Sequence, residues 1–129
     1  MFLVERLDEP GHWQLPQGGI EARETPEQAI KREMLEELGT DKFRIIKYAP
    51  QFYRYKWPKL DKIRHGFSGQ VQDLFILQFI GTDADIKLDK KEHVNFKWVD
   101  INQAPETVHR CRKEQMEKAI KIYQKIYDK

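Results

Sequence analysis

The segment GGIEARETPEQAIKREMLEELG, residues 18–39, carries the clearest helix signal in the chain. Thr25 can cap the helix, Pro26 suits its first position, and Gln28 completes a capping box. Gly39 is a natural stop. Apolar residues recur between these ends at helical spacing, namely Ala29, Ile30, Met34 and Leu38. The segment therefore predicts a helix from about Pro26 to Leu38 that buries one stripe against a sheet.

Three carboxylates crowd the last two turns of this predicted helix. At about 100° per residue, Glu33, Glu36 and Glu37 fall within an arc of roughly 100° beside the buried stripe. The carbonyls at this end are already electronegative, so the side chains either splay into water as a solvated acidic face or surround a cation. Carboxylates without His or thiolate partners suit a hard cation, and Mg²⁺ fits better than Zn²⁺.

Outside this helix the pattern alternates between short strands and a second helical region. The predicted strands are Phe2-Leu3-Val4, Trp13-Gln14-Leu15, Arg44 to Tyr48, Gln51 to Tyr55, Gln70 to Ile80 and Asn95 to Val99. After Pro105 a long closing helix is predicted from an apolar stripe at Val108, Cys111, Met116, Ala119, Ile120, Tyr123 and Tyr127. Strands combined with helices in this order indicate an α+β fold or an α/β/α sandwich.

Composition limits the class of protein and its partners. A length of 129 residues fits a single domain over residues 1–129, and a net charge of +2 gives no general reason to expect nucleic-acid or membrane binding. Cys111 is the one cysteine, which excludes an internal disulfide and favours the cytoplasm. The run of about 18 apolar residues that a membrane-spanning helix needs does not occur, so we expect no membrane partner.

The segment also fits a known motif position by position. Its fixed residues are Gly18, Glu24, Arg32, Glu33, Glu36, Glu37 and Gly39, with Met34 in the first apolar position. In this arrangement the stretch resembles the Nudix box, G-x5-E-x7-R-E-U-x-E-E-x-G-U, where U is apolar. The last position departs because Thr40 replaces the usual aliphatic residue, which we expect to cost packing rather than chemistry.

The resemblance implies a Nudix hydrolase, which cleaves a diphosphate linked to another moiety and uses Mg²⁺ or Mn²⁺ on the box helix. By position, the implied metal ligands are Glu33, Glu36 and Glu37, and the implied structural ion pair joins Glu24 to Arg32. The implied fold is a Nudix-type α/β/α sandwich with a mixed sheet. A cation would balance the charge that the crowded carboxylates bring to the helix end.

Segments outside the box resemble one branch of this family, which contains bacterial RNA pyrophosphohydrolases and diadenosine tetraphosphate hydrolases. These segments are WQLPQGGI, RYKWPK, SGQVQDLFILQF and EHVNFKWV. The branch implies that Glu92 binds metal or activates water, whereas by composition alone Glu92 is equally a charged turn residue. The expected catalytic residues are therefore Glu33, Glu37 and Glu92, with Glu92 as a further metal ligand.

The substrate is expected to be a nucleotide. Tyr55 is the expected base or ribose contact, and Lys59 and Arg64 are the expected phosphate contacts, against the alternative of a solvated basic strand. Gln17 and Gln70 are expected hydrogen-bonding groups near the substrate.

The favoured reaction is hydrolysis of a dinucleoside polyphosphate, such as diadenosine tetraphosphate to ATP and AMP. Three alternatives stay open: an RNA 5′-pyrophosphohydrolase, a nucleoside triphosphate or nucleotide-sugar pyrophosphatase, and a non-catalytic nucleotide- or RNA-binding module. Either a monomer or a dimer is compatible with the sequence.

The sequence departs from the family in two places. Members usually have a strand before the one that MFLVER resembles, so we expect the usual first strand to be lacking, with reduced stability or self-association through an open edge. The absence would be tolerated, filled by another element, or due to truncation. The residues before Glu24 are Ala22-Arg23, where Gly-Glu is common in the family. Separately, the four histidines show no zinc-site spacing and are expected at the surface, whereas Cys111 is expected to be buried.

Overall fold

The computed structural model describes residues 1–17, 23–56 and 69–127. Its strands and helices are β1 (Phe2–Arg6), β2 (Trp13–Gln14), α1 (Pro26–Leu38), β3 (Phe43–Lys56), β4 (Gly69–Phe79), β5 (His93–Trp98), α2 (Ala104–Thr107) and α3 (Lys113–Tyr127). Two 3₁₀ turns lie at Asp83–Asp85 and Arg110–Arg112. Within these ranges, none of the helices combines the length and apolar character needed to cross a membrane.

Strand β1 is the centre of a three-stranded sheet in the order β2-β1-β5. Strands β3 and β4 form a separate, long antiparallel ribbon. The pairings among the described strands are antiparallel, so the parallel pairs of the expected mixed sheet are not among them. Because β1 has a neighbour on each side, it is not the open edge that the expected loss of a first strand would create.

Adjacent residues of β1 build the two halves of the core. Leu3 and Val4 are both 0% exposed and point to opposite faces of the sheet, as successive strand residues do. On one face Leu3 packs with residues of α2, α3 and their connection, namely Ala104, Val108, Met116 and Ile120. On the other face Val4 packs with Met34 and Leu38 of α1. Helices therefore cover both faces of this sheet, which confirms the α+β sandwich.

Local capping explains why α1 has its predicted bounds. The Thr25 hydroxyl accepts from the Gln28 amide at 3.1 Å, and the Gln28 side-chain oxygen accepts from the Thr25 amide at 3.0 Å. At the other end, Gly39 has φ of 69° and donates its amide to the Leu35 carbonyl at 3.1 Å. The caps at both ends are formed by residues within the segment, and the helix from Pro26 to Leu38 is confirmed.

The two strands predicted between residues 44 and 55 are one strand, β3, with an irregular register between Ala49 and Tyr53. Asp73 of β4 holds this bulge, because its carboxylate accepts from the Gln51 amide at 2.8 Å and from the Tyr48 hydroxyl at 2.6 Å. Gln51 itself has φ of 51°. A cross-strand carboxylate thus preserves pairing where the local pattern indicated a break.

The predicted closing helix is interrupted before α3. Helix α2 ends at Thr107 with Val108 as its C-cap, and the His109 amide donates to the Trp13 carbonyl at 3.0 Å instead of continuing the helix. The predicted stripe remains buried at Val108, Met116, Ala119 and Ile120. The expectation for Cys111 was wrong, because the 3₁₀ turn that contains it lies outside the helical register and leaves the thiol exposed.

Candidate active site

The end of α1 is joined to the segment that precedes β5. The Leu38 carbonyl accepts from the Lys87 amide at 2.7 Å, and the Glu37 carbonyl accepts from the Asp89 amide at 3.0 Å. These are carbonyls that a helix cannot satisfy internally at its C-terminus. The contacts bring Asp89 and the nearby Glu92 to the helix end that carries the predicted metal ligands.

Gly39 permits this close approach. A Cβ atom at position 39 would lie 2.9 Å from Lys87 Cβ and 3.0 Å from the Lys87 carbonyl oxygen. The left-handed backbone at Gly39 is also one that other residues adopt only with strain. Glycine is therefore required here both by the turn and by the neighbouring segment.

Arg32 contacts three carboxylates on or near the helix. Its guanidinium makes a two-point contact with Glu24, with Nε and an Nη donating at 2.7 and 2.9 Å. The other Nη donates to Glu33 at 2.8 Å and to Glu36 at 3.2 Å. Such planar, paired contacts fix orientation as well as charge. One cation thus holds Glu24, Glu33 and Glu36 in a defined arrangement.

Glu37 is the buried carboxyl of the group. Glu37 is 4% exposed, and its Oε2 has no hydrogen-bond partner among the described residues. Burial, as the largest cause, and the charges of Glu33, Glu92 and Asp89 together raise the pKa of Glu37 to about 8. At neutral pH this carboxyl therefore holds a proton unless another cation takes its place.

A divalent cation fits this arrangement. Oε2 of Glu37 has no hydrogen-bond partner among the described residues and could therefore bind a cation. The neighbouring acidic side chains also offer carboxylate oxygens, which Mg²⁺ prefers as ligands. Among the predicted ligands, Glu33 and Glu92 act on Glu37 electrostatically, while Glu36 contacts Arg32 with a largely exposed side chain. Their roles as ligands stay predictions. Asp89 was not predicted as part of the site. The one indication in the sequence is that it is an acidic residue three positions before Glu92.

Thr40, the position that departs from the box, is buried. Its hydroxyl accepts from the Lys42 amide at 3.1 Å. The oxygen is therefore satisfied by a turn that starts at the residue itself, which reduces the cost of placing a polar side chain there.

The predicted substrate contacts lie largely outside the described residues. This applies to Lys59 and Arg64, to the side chains of Tyr55 and Gln70, and to the first glycine of the box, Gly18. Gln17 is described and half-buried, and its side-chain amide lies 3.5 Å from both Arg112 and Gln115 near the start of α3. Its role toward substrate stays a prediction.

Two histidines differ from the expected surface position. His12 is 2% exposed and His93 is 3% exposed. His12 directly precedes β2, and His93 is the first residue of β5. Both therefore lie at the start of a strand in the sheet that the helices cover. Burial lowers the pKa of each imidazole, which keeps both neutral at physiological pH.

The sequence of this chain matches the family described as NUDIX domain over residues 1–120. It is 39% identical over 120 residues to an RNA pyrophosphohydrolase of Gluconacetobacter diazotrophicus, which covers 82% of this chain and 72% of that protein. A Wolbachia pipientis protein named RNA pyrophosphohydrolase is 33% identical over 132 residues, covering 98% of this chain and 82% of that protein.

Solved structures show the same fold at lower identity. A C. elegans Ap4A hydrolase superposes with a TM-score of 0.65 at 19% identity, covering 95% of this chain and 86% of that one. An E. coli dihydroneopterin triphosphate pyrophosphohydrolase gives a TM-score of 0.60 at 21% identity, covering 90% and 82%. Likeness at this identity indicates shared architecture. The family match and the closer sequence relatives together show that this chain belongs to the Nudix family and is a hydrolase that acts on pyrophosphate bonds.

Proposed function

We propose that this protein is a divalent-metal-dependent RNA 5′-pyrophosphohydrolase. The support for the substrate is that relatives at 39% and 33% identity, matched over more than two thirds of both chains, are named RNA pyrophosphohydrolases. They favour this alternative over the dinucleoside polyphosphate expected from the sequence. The similarity to an Ap4A hydrolase is at 19% identity, which supports a shared fold but not a shared substrate.

The observation that supports metal-dependent chemistry is the buried, unpartnered oxygen of Glu37 beside other carboxyls. In the proposal, Glu33, Glu36 and Glu37 hold Mg²⁺ or Mn²⁺, and Glu92 is a further ligand or the proton acceptor. Bound cations would acidify the attacking water and offset the charge of the phosphate chain. Arg32 would keep Glu33 and Glu36 oriented through its contacts with both.

Glu92 suits proton transfer because its carboxylate is exposed while its backbone is fixed. The Glu92 carbonyl accepts from the Leu7 amide at 2.9 Å, and the Glu92 amide donates to the Asp89 carbonyl at 3.0 Å. A carboxylate with this access would accept the proton of the attacking water and pass it to solvent.

The test compares a short 5′-triphosphorylated RNA with diadenosine tetraphosphate at equal concentration, with Mg²⁺ and with chelator. We expect metal-dependent conversion of the RNA to a 5′-monophosphate at a higher kcat/KM than cleavage to ATP and AMP. E37Q should abolish turnover. The control E117Q, which replaces an exposed glutamate of α3, should leave turnover unchanged.

Faster cleavage of diadenosine tetraphosphate would overturn the RNA proposal in favour of the dinucleoside reaction. Pyrophosphate release from free nucleoside triphosphates alone would identify a nucleotide pyrophosphatase. RNA binding without turnover by a folded sample would identify a non-catalytic module.

A further inference from the structure

A second group of metal-ligating side chains lies in segments that do not contribute to the carboxylate site. One nitrogen each of His12 and His109 and the sulfur of Cys111 lie within 4.8 Å of one another. His12 precedes β2, while His109 and Cys111 lie in the connection between α2 and α3. The backbone joins these segments, because the His109 amide donates to the Trp13 carbonyl at 3.0 Å.

Glu9 orients both imidazoles. One carboxylate oxygen lies 3.0 Å from Nδ1 of His12, and the other lies 3.3 Å from Nε2 of His109. These contacts occupy one nitrogen of each ring and leave His12 Nε2 for another partner. The second nitrogen of His109, Nδ1, accepts from the Cys111 amide at 3.2 Å, a hydrogen bond that a cation at Nδ1 would replace. Histidines that bind metals usually hold a carboxylate or carbonyl with the other ring nitrogen in the same way.

The free nitrogen of His12 is the observation that points to a ligand. The residue is 2% exposed, and Nε2 has no hydrogen-bond partner among the described residues. A buried polar nitrogen without a partner is destabilising, and a bound ion is one of the ways in which proteins satisfy such an atom. Burial also lowers the pKa of His12 and keeps the ring in the neutral form that metals bind.

The remaining two donors are close to each other and accessible. Nδ1 of His109 lies 3.0 Å from the Cys111 sulfur, and the Cys111 thiol is exposed. The rings of His12 and His109 are stacked at 4.2 Å with an interplanar angle of 7°. Parallel rings cannot aim both lone pairs at one point, so one must turn to share a cation. His109 is the ring that would turn, because its side chain is 29% exposed whereas that of His12 is 3% exposed, and the turn would exchange its contacts with Glu9 and the Cys111 amide for the cation.

We propose that His12, His109 and Cys111 form a site for a borderline-soft divalent cation such as Zn²⁺. Two imidazoles and a thiolate match the preferences of Zn²⁺ and differ from the oxygen set on α1, which suits Mg²⁺. On binding, the thiol S–H bond breaks, the sulfur bonds the metal and the proton leaves to solvent. Water takes the fourth position.

Charge in the neighbourhood permits such a cation. The thiolate and the Glu9 carboxylate together supply two negative charges, which balance a divalent ion. Arg6 and Arg112 lie close enough to act on Cys111 and His12 respectively, but Arg6 is paired with Asp8, with Nε donating at 2.8 Å. The occupied site would link the turn before β2 to the start of α3.

The test uses tag-free, reduced full-length protein titrated with Co²⁺ in excess Mg²⁺, which occupies the carboxylates on α1. We expect a near-ultraviolet thiolate-to-cobalt absorption that saturates at one equivalent and is displaced by Zn²⁺. C111S should abolish this band. E9Q should weaken binding about 10- to 100-fold, as loss of a carboxylate partner of a histidine ligand does, whereas E114Q, an exposed acid in the first turn of α3, should not.

Thermal unfolding with Zn²⁺ provides the second measurement. Zn²⁺ should raise the Tm of the wild type and of E114Q but not that of C111S, with Tm values compared against the metal-free forms. The proposal is overturned if the wild type gives no thiolate band, or if Zn²⁺ changes the Tm of C111S as much as that of the wild type.

Discussion

Replacing Glu37 with Gln should stabilise the metal-free protein at alkaline pH while removing its activity. The pKa of Glu37 is raised from 4.5 to about 8 in the folded chain, chiefly by burial. Between these values the folded state keeps a proton that the unfolded state has lost, so stability falls as pH rises through this window. Gln keeps the shape of the protonated acid but cannot ionise.

The size of the effect follows from the shift. At about 1.36 kcal/mol per pKa unit, the full change corresponds to an upper limit of about 5 kcal/mol of stability lost by the wild type above pH 8. The charges of Glu33 and Glu92 contribute to this shift in the pKa of Glu37. Because water and small side-chain movements relieve part of the cost of ionising a buried carboxyl, we expect the substitution to recover about 2–3 kcal/mol.

The assay is urea denaturation of the wild type and E37Q at pH 5 and pH 9 with chelator present. The two proteins should be nearly equally stable at pH 5, and E37Q should be more stable at pH 9. Other titrating groups cancel because the comparison is between variants at each pH. E36Q is the matched control, since Glu36 is exposed and its contact with Arg32 is worth under about 1 kcal/mol.

Two results would refute this reasoning. Equal stability of E37Q and the wild type at pH 9 would mean that burial does not destabilise the ionised carboxylate. A failure of Mg²⁺ to restore wild-type stability at pH 9, under conditions where it restores turnover, would mean that the cation does not act on Glu37.

Three further substitutions test the surroundings of the site. G39A should lower stability by about 2–3 kcal/mol in urea denaturation, because strain at a left-handed residue adds to overlap with Lys87. E24Q should cost about 1–3 kcal/mol by removing the negative charge from the two-point contact between Glu24 and Arg32. It should also raise the Mg²⁺ concentration needed for half-maximal activity; an unchanged Mg²⁺ dependence would contradict an orienting role. R23G should raise stability by about 0.5–1 kcal/mol, because Arg23 has φ of 65° and glycine adopts this conformation without strain. A lower Tm for R23G would show that the arginine side chain stabilises the loop.

The parts of the fold that the sequence predicted are those determined by neighbouring residues. The bounds of α1 follow from Thr25, Gln28 and Gly39, all of which act within the segment. The continuity of β3 depends instead on Asp73, a residue of another strand, and no pattern within residues 44–55 indicates it. The break before α3 likewise depends on the Trp13 carbonyl.

The same division applies to the site. Helical spacing places Glu33, Glu36 and Glu37 together, so their proximity was predictable from position alone. The burial of Glu37 and the approach of Asp89 depend on tertiary contacts with the segment before β5. The cluster of His12, His109 and Cys111 joins two distant segments, which is why histidine spacing gave no sign of it.

The hydrogen bonds from Lys87 and Asp89 to the end of α1 also make the site depend on a segment that is distant in the sequence. The box helix alone carries three acids without the burial that gives Glu37 its unusual affinity for a positive charge. That environment exists only after a much later part of the chain has folded back onto the helix. A chain that ends before this segment therefore lacks the contacts that bury Glu37, even though it contains all three acids of the helix.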